Sequence, residues 1–125
     1  IHDSVDARMA AKTGADAIFV YTHGGRQLDG ATSSIAVLEE SADAVGDKIE
    51  VHMDGGIRSG QDVLKALCLG AKGTYIGRPF LYGLGALGKE GVTKALEIIR
   101  KEMDITLALC GKRLVTDMGK DQLRR

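Results

Sequence analysis

The sequence predicts an α/β fold built on a parallel sheet. Three observations carry this. The short runs "DAIFV", "KIEVHMD" and "KGTYIG" have the length and apolar content of strands, stretches of helical periodicity separate them, and each run ends in a polar loop rich in glycine. The order is αβαβαβα, with strands ending near about residues 22, 53 and 76. Strict alternation of this kind makes neighbouring strands parallel, because each helix carries the chain back to start the next strand in the same direction. A closed barrel and an open sheet both satisfy the pattern. No linker or low-complexity segment interrupts it, so residues 1–125 read as one structural unit.

Each element has a local reason. In "DSVDARMAAKTGA" Asp3 or Ser4 can cap a helix, Val5 and Met9 share a face, and Gly14 can end it. "ADAIFVY" follows as a short buried strand. Ile35, Leu38, Ala42 and Val45 then recur at helical spacing, with Ser33 or Ser34 as cap and Gly46 as stop. After the strand "KIEVHMD", the stretch "SGQDVLKALCLGA" reads as a capped helix from Ser59 that buries Val63, Leu64 and Leu67. The last helix follows the strand "KGTYIG" and places Val92, Leu96, Ile99 and Met103 on one stripe. Beyond Gly111 the chain is a polar tail with little core.

Charge and composition exclude some functions. Lys plus Arg and Asp plus Glu number 17 each, so no summed field draws the chain to nucleic acid or to an anionic membrane. No apolar run reaches the length of a membrane span, and the first residues lack a basic segment followed by an apolar core, so no secretory signal is expected within them. Cys68 and Cys110 stand far apart, match no metal or redox spacing, and fit a reducing compartment. The opening "IHDSVDARMA" lacks an initiator Met, and the expectation is that it lies inside a longer protein.

Ligands of parallel α/β folds bind at the carboxyl ends of the strands, so the three loops there carry the chemistry. The first is "THGGRQLDG". An imidazole titrates near neutrality, which suits His23 to take and return a substrate proton, and Arg26 can hold a carboxylate through two charge-assisted hydrogen bonds. Spacing alone equally allows a helix-entry loop with a capping His and a solvated Arg. The second loop is "MDGGIRSG", in which Gly55 and Gly56 permit close backbone approach, amides at the following helix start can face an anion, and Arg58 adds positive charge. Asp54 is better suited to a hydroxyl or a loop amide than to phosphate. In the third loop, "IGRPF", Gly77 and Arg78 repeat the theme, and together the second and third loops describe a phosphate site shared by adjacent strand ends.

Other candidates rank lower. "GLGALG", Gly83 to Gly88, matches the dinucleotide fingerprint, but the strand ends several residues too early and no acid follows at the required distance. It reads as a flexible loop ahead of the last helix. His52 alternates with Val51 and Met53 and reads as a packed or hydrogen-bonded core histidine; His2 reads as a helix-entry residue, and Tyr75 and Tyr82 as packing residues. No cluster at metal-ligand spacing supports a metal site.

Taken together, "HGGRQLDG", "DGGIRSGQDVLKALCLGA" and "IGRPFLYGL", with "EIIRKEMDITLALCG" after them, resemble the carboxyl-terminal part of the FMN-dependent α-hydroxy acid dehydrogenase and oxidase family, which includes L-lactate dehydrogenases, glycolate oxidases and mandelate dehydrogenases. The resemblance implies the last three βα units of a TIM (β/α)8 barrel, preceded by the helix after the fifth strand. It implies FMN as cofactor, His23 as the catalytic base, Arg26 as the clamp on a small 2-hydroxy acid, and Asp54, Gly55, Gly56, Arg58, Gly77 and Arg78 as FMN ribityl and phosphate contacts. L-lactate is the expected substrate. A homo-oligomer is expected for the full-length protein, cytoplasmic or peripheral to the inner face of a membrane, with no nucleic acid partner.

Two departures stand out. Where the family usually has Ser then Asn before the His, this chain has Tyr21 and Thr22, a phenol in place of a small hydroxyl that touches the flavin. The family's lysine near the flavin, and its earlier strands with the acid that orients the His, lie outside these 125 residues. Three strands cannot close an eight-stranded barrel, so the isolated piece is expected to be inactive. Two other readings remain: another FMN or nucleotide barrel such as an IMP dehydrogenase relative, which would need a catalytic Cys in a strand-end loop where Cys68 reads as mid-helix, and a non-catalytic phosphate-binding half-barrel.

Overall fold

A computed structural model describes residues 1–124. Helix α1 (Ser4–Lys12) begins where the Asp3 carboxylate accepts from the Val5 and Asp6 amides, both at 2.8 Å, and ends before Gly14 at φ +86°. Strand β1 (Ala17–Val20), helix α2 (Ser34–Val45), strand β2 (Glu50–Asp54), helix α3 (Gly60–Cys68), strand β3 (Gly73–Tyr75) and helix α4 (Arg78–Leu109) follow. Short 3-10 turns lie at His23–Gly25, Val115–Asp117 and Lys120–Gln122.

The sheet is parallel throughout, in the order β1-β2-β3. Val20 pairs with Met53 and Met53 with Thr74, so the three strand ends come level on one edge. Ile18, Val20, Val51 and Met53 point into the core, where they meet Val37, Leu38 and Val45 of α2 and Val63 of α3. Burying each such side chain fully contributes about 1.5–3 kcal/mol, which is why the alternation of the strands fixes their register.

The other face of the sheet is different. Phe19 and Tyr75 remain 46% and 44% exposed, with ring centroids 4.9 Å apart and His52 between strands β1 and β3 beside both. β1, expected as a short buried strand, is therefore buried on one face, through Ile18 and Val20, and exposed on the other at Phe19. His52 is hydrogen-bonded as expected, through Nε2 to Glu50 at 2.9 Å, while its buried Nδ1 has no partner among the described residues.

Several details correct the sequence reading. In α1 the buried residue is Ala7, whereas Val5 and Met9 are exposed, because the helix lies close to α2 through its alanine face. On α4, Ile99 is buried but Leu96 is exposed. The largest difference concerns "GLGALG", which is helical up to Ala86 and not a loop. α4 starts at Arg78, breaks at Leu87 and Gly88 (φ +60°), and continues to Leu109. The break brings Gly83 against Gly91: a Cβ on Gly91 would fall 1.8 Å from the Gly83 carbonyl oxygen, and one on Gly83 would fall 2.4 Å from that of Gly91. Backbone contact between the two segments explains glycines that helix propensity alone disfavours.

Candidate active site

The eight residues singled out in the sequence all lie at the carboxyl edge of the sheet: Asp54 ends β2, and the others lie in the loops there or within the turn that opens the next helix. The loop after β1 is the most unusual. His23, Gly24 and Gly25 take φ values of +53°, +64° and +71° in succession, and His23 is the only residue other than glycine at positive φ among the described residues. Such a conformation costs of order 1–3 kcal/mol and persists where the surroundings impose it, which is typical of functional loops. Amide bonds from Gly25 to the Thr22 carbonyl (3.0 Å) and from Arg26 to the His23 carbonyl (3.2 Å) close the turn.

That turn fixes the imidazole. Nδ1 of His23 is hydrogen-bonded to Oε1 of Gln27, and the Tyr21 ring meets the imidazole edge-on with centroids 5.8 Å apart. Gln27 was not singled out in the sequence, although its position four residues after the His in a glycine turn was the available signal. The Tyr21 ring also reaches the second loop, where a Cβ on Gly55 would lie 3.4 Å from it and 3.3 Å from Oγ of Ser34. Tyr21 thus bridges the His23 loop and the glycine turn.

In the second loop Gly55 and Gly56 stand at φ +91° and +86°, a backbone that other side chains rarely adopt. Asp54 Oδ1 accepts from the Gly55 amide at 2.6 Å, which orients the carboxylate and leaves Oδ2 for another donor. The following helix start differs from expectation. Ser59 and Asp62 form a capping box, Asp62 also takes the Arg58 amide at 3.0 Å, and the Gly60 amide donates to Glu102 of α4 at 2.8 Å. The Ser59, Gly60 and Asp62 amides are therefore spent inside the protein and do not face an anion.

The third loop supplies what the second does not. Gly77 stands at the N-cap of α4 and offers no side-chain cap, and Pro79 lies in the first turn, so the positive dipole end of the helix is left open. A Cβ on Gly77 or Gly56 would meet nothing within 4 Å, so the edge is open to a ligand there. Arg26, Arg58 and Arg78 are exposed, and none has an ion pair among the described residues. Three free guanidiniums, an open helix start and two left-handed glycines make a donor set for a phosphate and a carboxylate.

The remaining features are not chemical sites. Among the described residues no group of His, Cys, Asp or Glu could hold a metal, and no helix is long and apolar enough to cross a membrane. Cys68 closes α3, is 4% exposed, and burial foremost, with Asp121 and Cys110 behind it, pushes its thiol up from the usual value. It is not a nucleophile in a strand-end loop. Two surface clefts, of about 340 and 250 Å³, are lined by none of the eight residues.

Fold and site together define a class: a parallel α/β unit that gathers anion-binding groups and one imidazole at the carboxyl edge of its strands. Comparison narrows the class. Residues 1–125 match the family model described as FMN-dependent dehydrogenase, and the chain belongs to that family. It is 50% identical to an L-lactate dehydrogenase of Azorhizobium caulinodans over 98% of this chain and 32% of that protein, and 48% identical to 2-hydroxyacid oxidase 1 of Mus musculus over 96% and 32%. Among solved structures it superimposes on flavocytochrome b2 with sulfite bound at a TM-score of 0.94 and 43% identity, covering 99% of this chain and 33% of that one. A mandelate oxidase mutant with a monooxide FMN adduct gives 0.89 and 46%, covering 94% and 37%. The chain thus spans about a third of the length of the relatives it matches.

The residues present fit the family's cofactor. An open, uncapped helix start beside left-handed glycines and two free arginines suits the phosphate of FMN, and the unused Asp54 oxygen suits a ribityl hydroxyl.

Proposed function

We propose that residues 1–125 are the carboxyl-terminal portion of an eight-stranded barrel that, when complete, oxidises an L-2-hydroxy acid to the 2-oxo acid, with L-lactate as substrate. The observation that carries this reading is the strained His23 turn, which holds an imidazole and Arg26 beside the open donor set of the neighbouring loops. Relatives named L-lactate dehydrogenase and 2-hydroxyacid oxidase support the substrate class.

Each residue then has a task. Arg26 grips the substrate carboxylate through a two-pronged ion pair and so fixes the neighbouring carbon. His23 accepts the proton of the 2-hydroxyl group, the role an imidazole fills best near neutral pH. Gly55, Gly56, Arg58, Gly77 and Arg78 would hold the FMN phosphate, and Asp54 a ribityl hydroxyl. FMN, when bound, would supply the oxidant, accepting the hydrogen of the substrate carbon with its electron pair while the hydroxyl proton goes to His23.

The isolated piece lacks part of this. Its exposed Phe19 and Tyr75 face and its free sheet edges need the rest of the barrel to cover them, so we infer that the 125 residues alone do not turn over substrate. We infer that the full-length protein is a homo-oligomer, in the cytoplasm or peripheral to the inner face of a membrane; a relative described as a membrane-associated (S)-mandelate dehydrogenase supports the second location. The test is to purify the full-length protein, record its yellow flavin spectrum without oxygen, and add L-lactate, glycolate or mandelate in turn. Bleaching by L-lactate at the lowest concentration is expected; a spectrum unchanged by all three refutes the reading.

A further inference from the structure

We propose that Glu102 is a positioning residue for Arg58: from the second half of α4 it caps the start of α3 and so fixes Arg58 relative to Arg78 for one shared phosphate. This rests on the reading of Arg58 and Arg78 as contacts to the FMN phosphate. Its basis is a hydrogen bond across 42 residues, in which the half-buried Gly60 amide donates to Oε2 of Glu102 at 2.8 Å. The acceptor is a carboxylate at the positive end of a helix, so the bond is charge-assisted. The Arg58, Ser59 and Asp62 amides are all bonded within their own turn. Among the described residues, the bond from Gly60 is therefore what ties that turn to another element.

Backbone packing reinforces the same junction. A Cβ on Gly60 would fall 2.3 Å from the Met103 nitrogen and 2.5 Å from the Ile99 carbonyl oxygen, so the start of α3 lies directly on the backbone of α4. The second half of α4 also meets the first half, through Gly91 and Gly83, and the first half opens on Arg78. It is thus a common base: Gly60 and Glu102 seat Arg58 on it, and Gly91 seats the segment that carries Arg78. The Arg58 side chain is exposed and has no ion pair among the described residues, so its reach is set by where its backbone is anchored. A long side chain on a fixed backbone loses less freedom on binding a ligand than one on a loose turn. Glu102 also occupies an amide of α3, which leaves the uncapped start of α4 as the helix end offered to the phosphate.

The experiment titrates the full-length protein, freed of FMN, and its variants with FMN and separately with riboflavin, which lacks the phosphate, and reads binding from flavin fluorescence. A hydrogen bond to a charged group corresponds to roughly 10–100-fold in affinity, and one that acts through a neighbour belongs at the lower end. Glu102→Leu is expected to weaken FMN binding about 10-fold and to leave riboflavin binding as it was. Glu102→Gln, which keeps an acceptor oxygen, should recover most of that loss. In a protein already carrying Arg58→Ala, Glu102→Leu should add little, because the residue through which it acts is gone. Equal weakening of FMN and riboflavin, or a loss that adds in full to that of Arg58→Ala, would make Glu102 a general support of the fold and overturn the proposal. Should Glu102→Leu fail to fold, Glu102→Asp decides, because a side chain one methylene shorter keeps the charge but cannot close the bond to Gly60: weaker FMN binding with riboflavin unchanged supports the proposal, and unchanged FMN binding overturns it. Arg58→Ala alone separates the two levels. Unaltered FMN affinity there removes the phosphate assignment of Arg58 and the proposal with it, whereas weakened affinity there beside unaltered affinity in Glu102→Leu removes only the role of Glu102.

Discussion

Two glycines two residues apart in α4 should respond to the same substitution in opposite directions. Gly83 and Gly85 both lie in the segment between Arg78 and the break at Leu87 and Gly88, and neither is at positive φ, so Ala suits the backbone at both. Replacing helical Gly by Ala contributes about 0.8–1.0 kcal/mol through backbone entropy. At Gly85 nothing lies within 4 Å of the added Cβ, so that gain is realised. At Gly83 the Cβ would fall 2.4 Å from the Gly91 carbonyl oxygen and 2.7 Å from its carbon, both backbone atoms that cannot swing away. Overpacking costs about 1–3 kcal/mol, and a clash with backbone belongs at the upper end, so the net result is a loss of about 1–2 kcal/mol. Equilibrium urea unfolding of the full-length protein measures both, with the midpoint rising for Gly85→Ala and falling for Gly83→Ala. FMN affinity should fall with Gly83→Ala as well, because the displaced segment carries Gly77 and Arg78 at its start. Midpoints that move in the same direction would refute the claim that Gly83 is there for the contact with Gly91.

Three further outcomes follow. Arg78→Ala is expected to weaken FMN binding about 10–100-fold, the range of a lost charge-assisted hydrogen bond, measured by the recovery of FMN fluorescence on release. Cys110 is exposed and should react first with a thiol reagent, while Cys68, buried and with its thiol pushed up, should react only at higher pH or on unfolding, as mass spectrometry of the labelled peptides would show. Lys120 is bonded to Asp43 (2.8 Å) and Glu39 (3.2 Å), the bond to Asp43 being the main reason its ammonium is held above the usual value. A raised lysine contributes stability fully below its unfolded value and loses it as pH rises through the folded one, so hydrogen exchange in residues 115–123 should quicken in that alkaline window and with added salt.

Strands β1 and β2 were legible because one face of each is buried, and that face imposes the alternation seen in Ile18, Val20, Val51 and Met53. The loops were legible because strand direction alone places their residues on one edge. What was hidden depends on partners distant in sequence. Nothing local announces that Gly83 will touch Gly91, so three glycines in "GLGALG" read as a loop. Glu102 takes the Gly60 amide across 42 residues, a contact no spacing rule reveals. The Ser59 and Asp62 capping box could have been read from "SGQD", yet the sequence reading took the amides at the start of α3 as free to face an anion. Val5 and Met9 misled because an apolar stripe predicts burial only where something covers it.

The central claim is that His23 accepts the substrate proton. Rapid mixing of the FMN-loaded full-length His23→Gln variant with L-lactate tests this directly, because flavin bleaching reports the chemical step. The account predicts a rate lowered by about 10²–10⁴-fold, the usual contribution of a general base, with FMN content unchanged. Bleaching at the unaltered rate would contradict it.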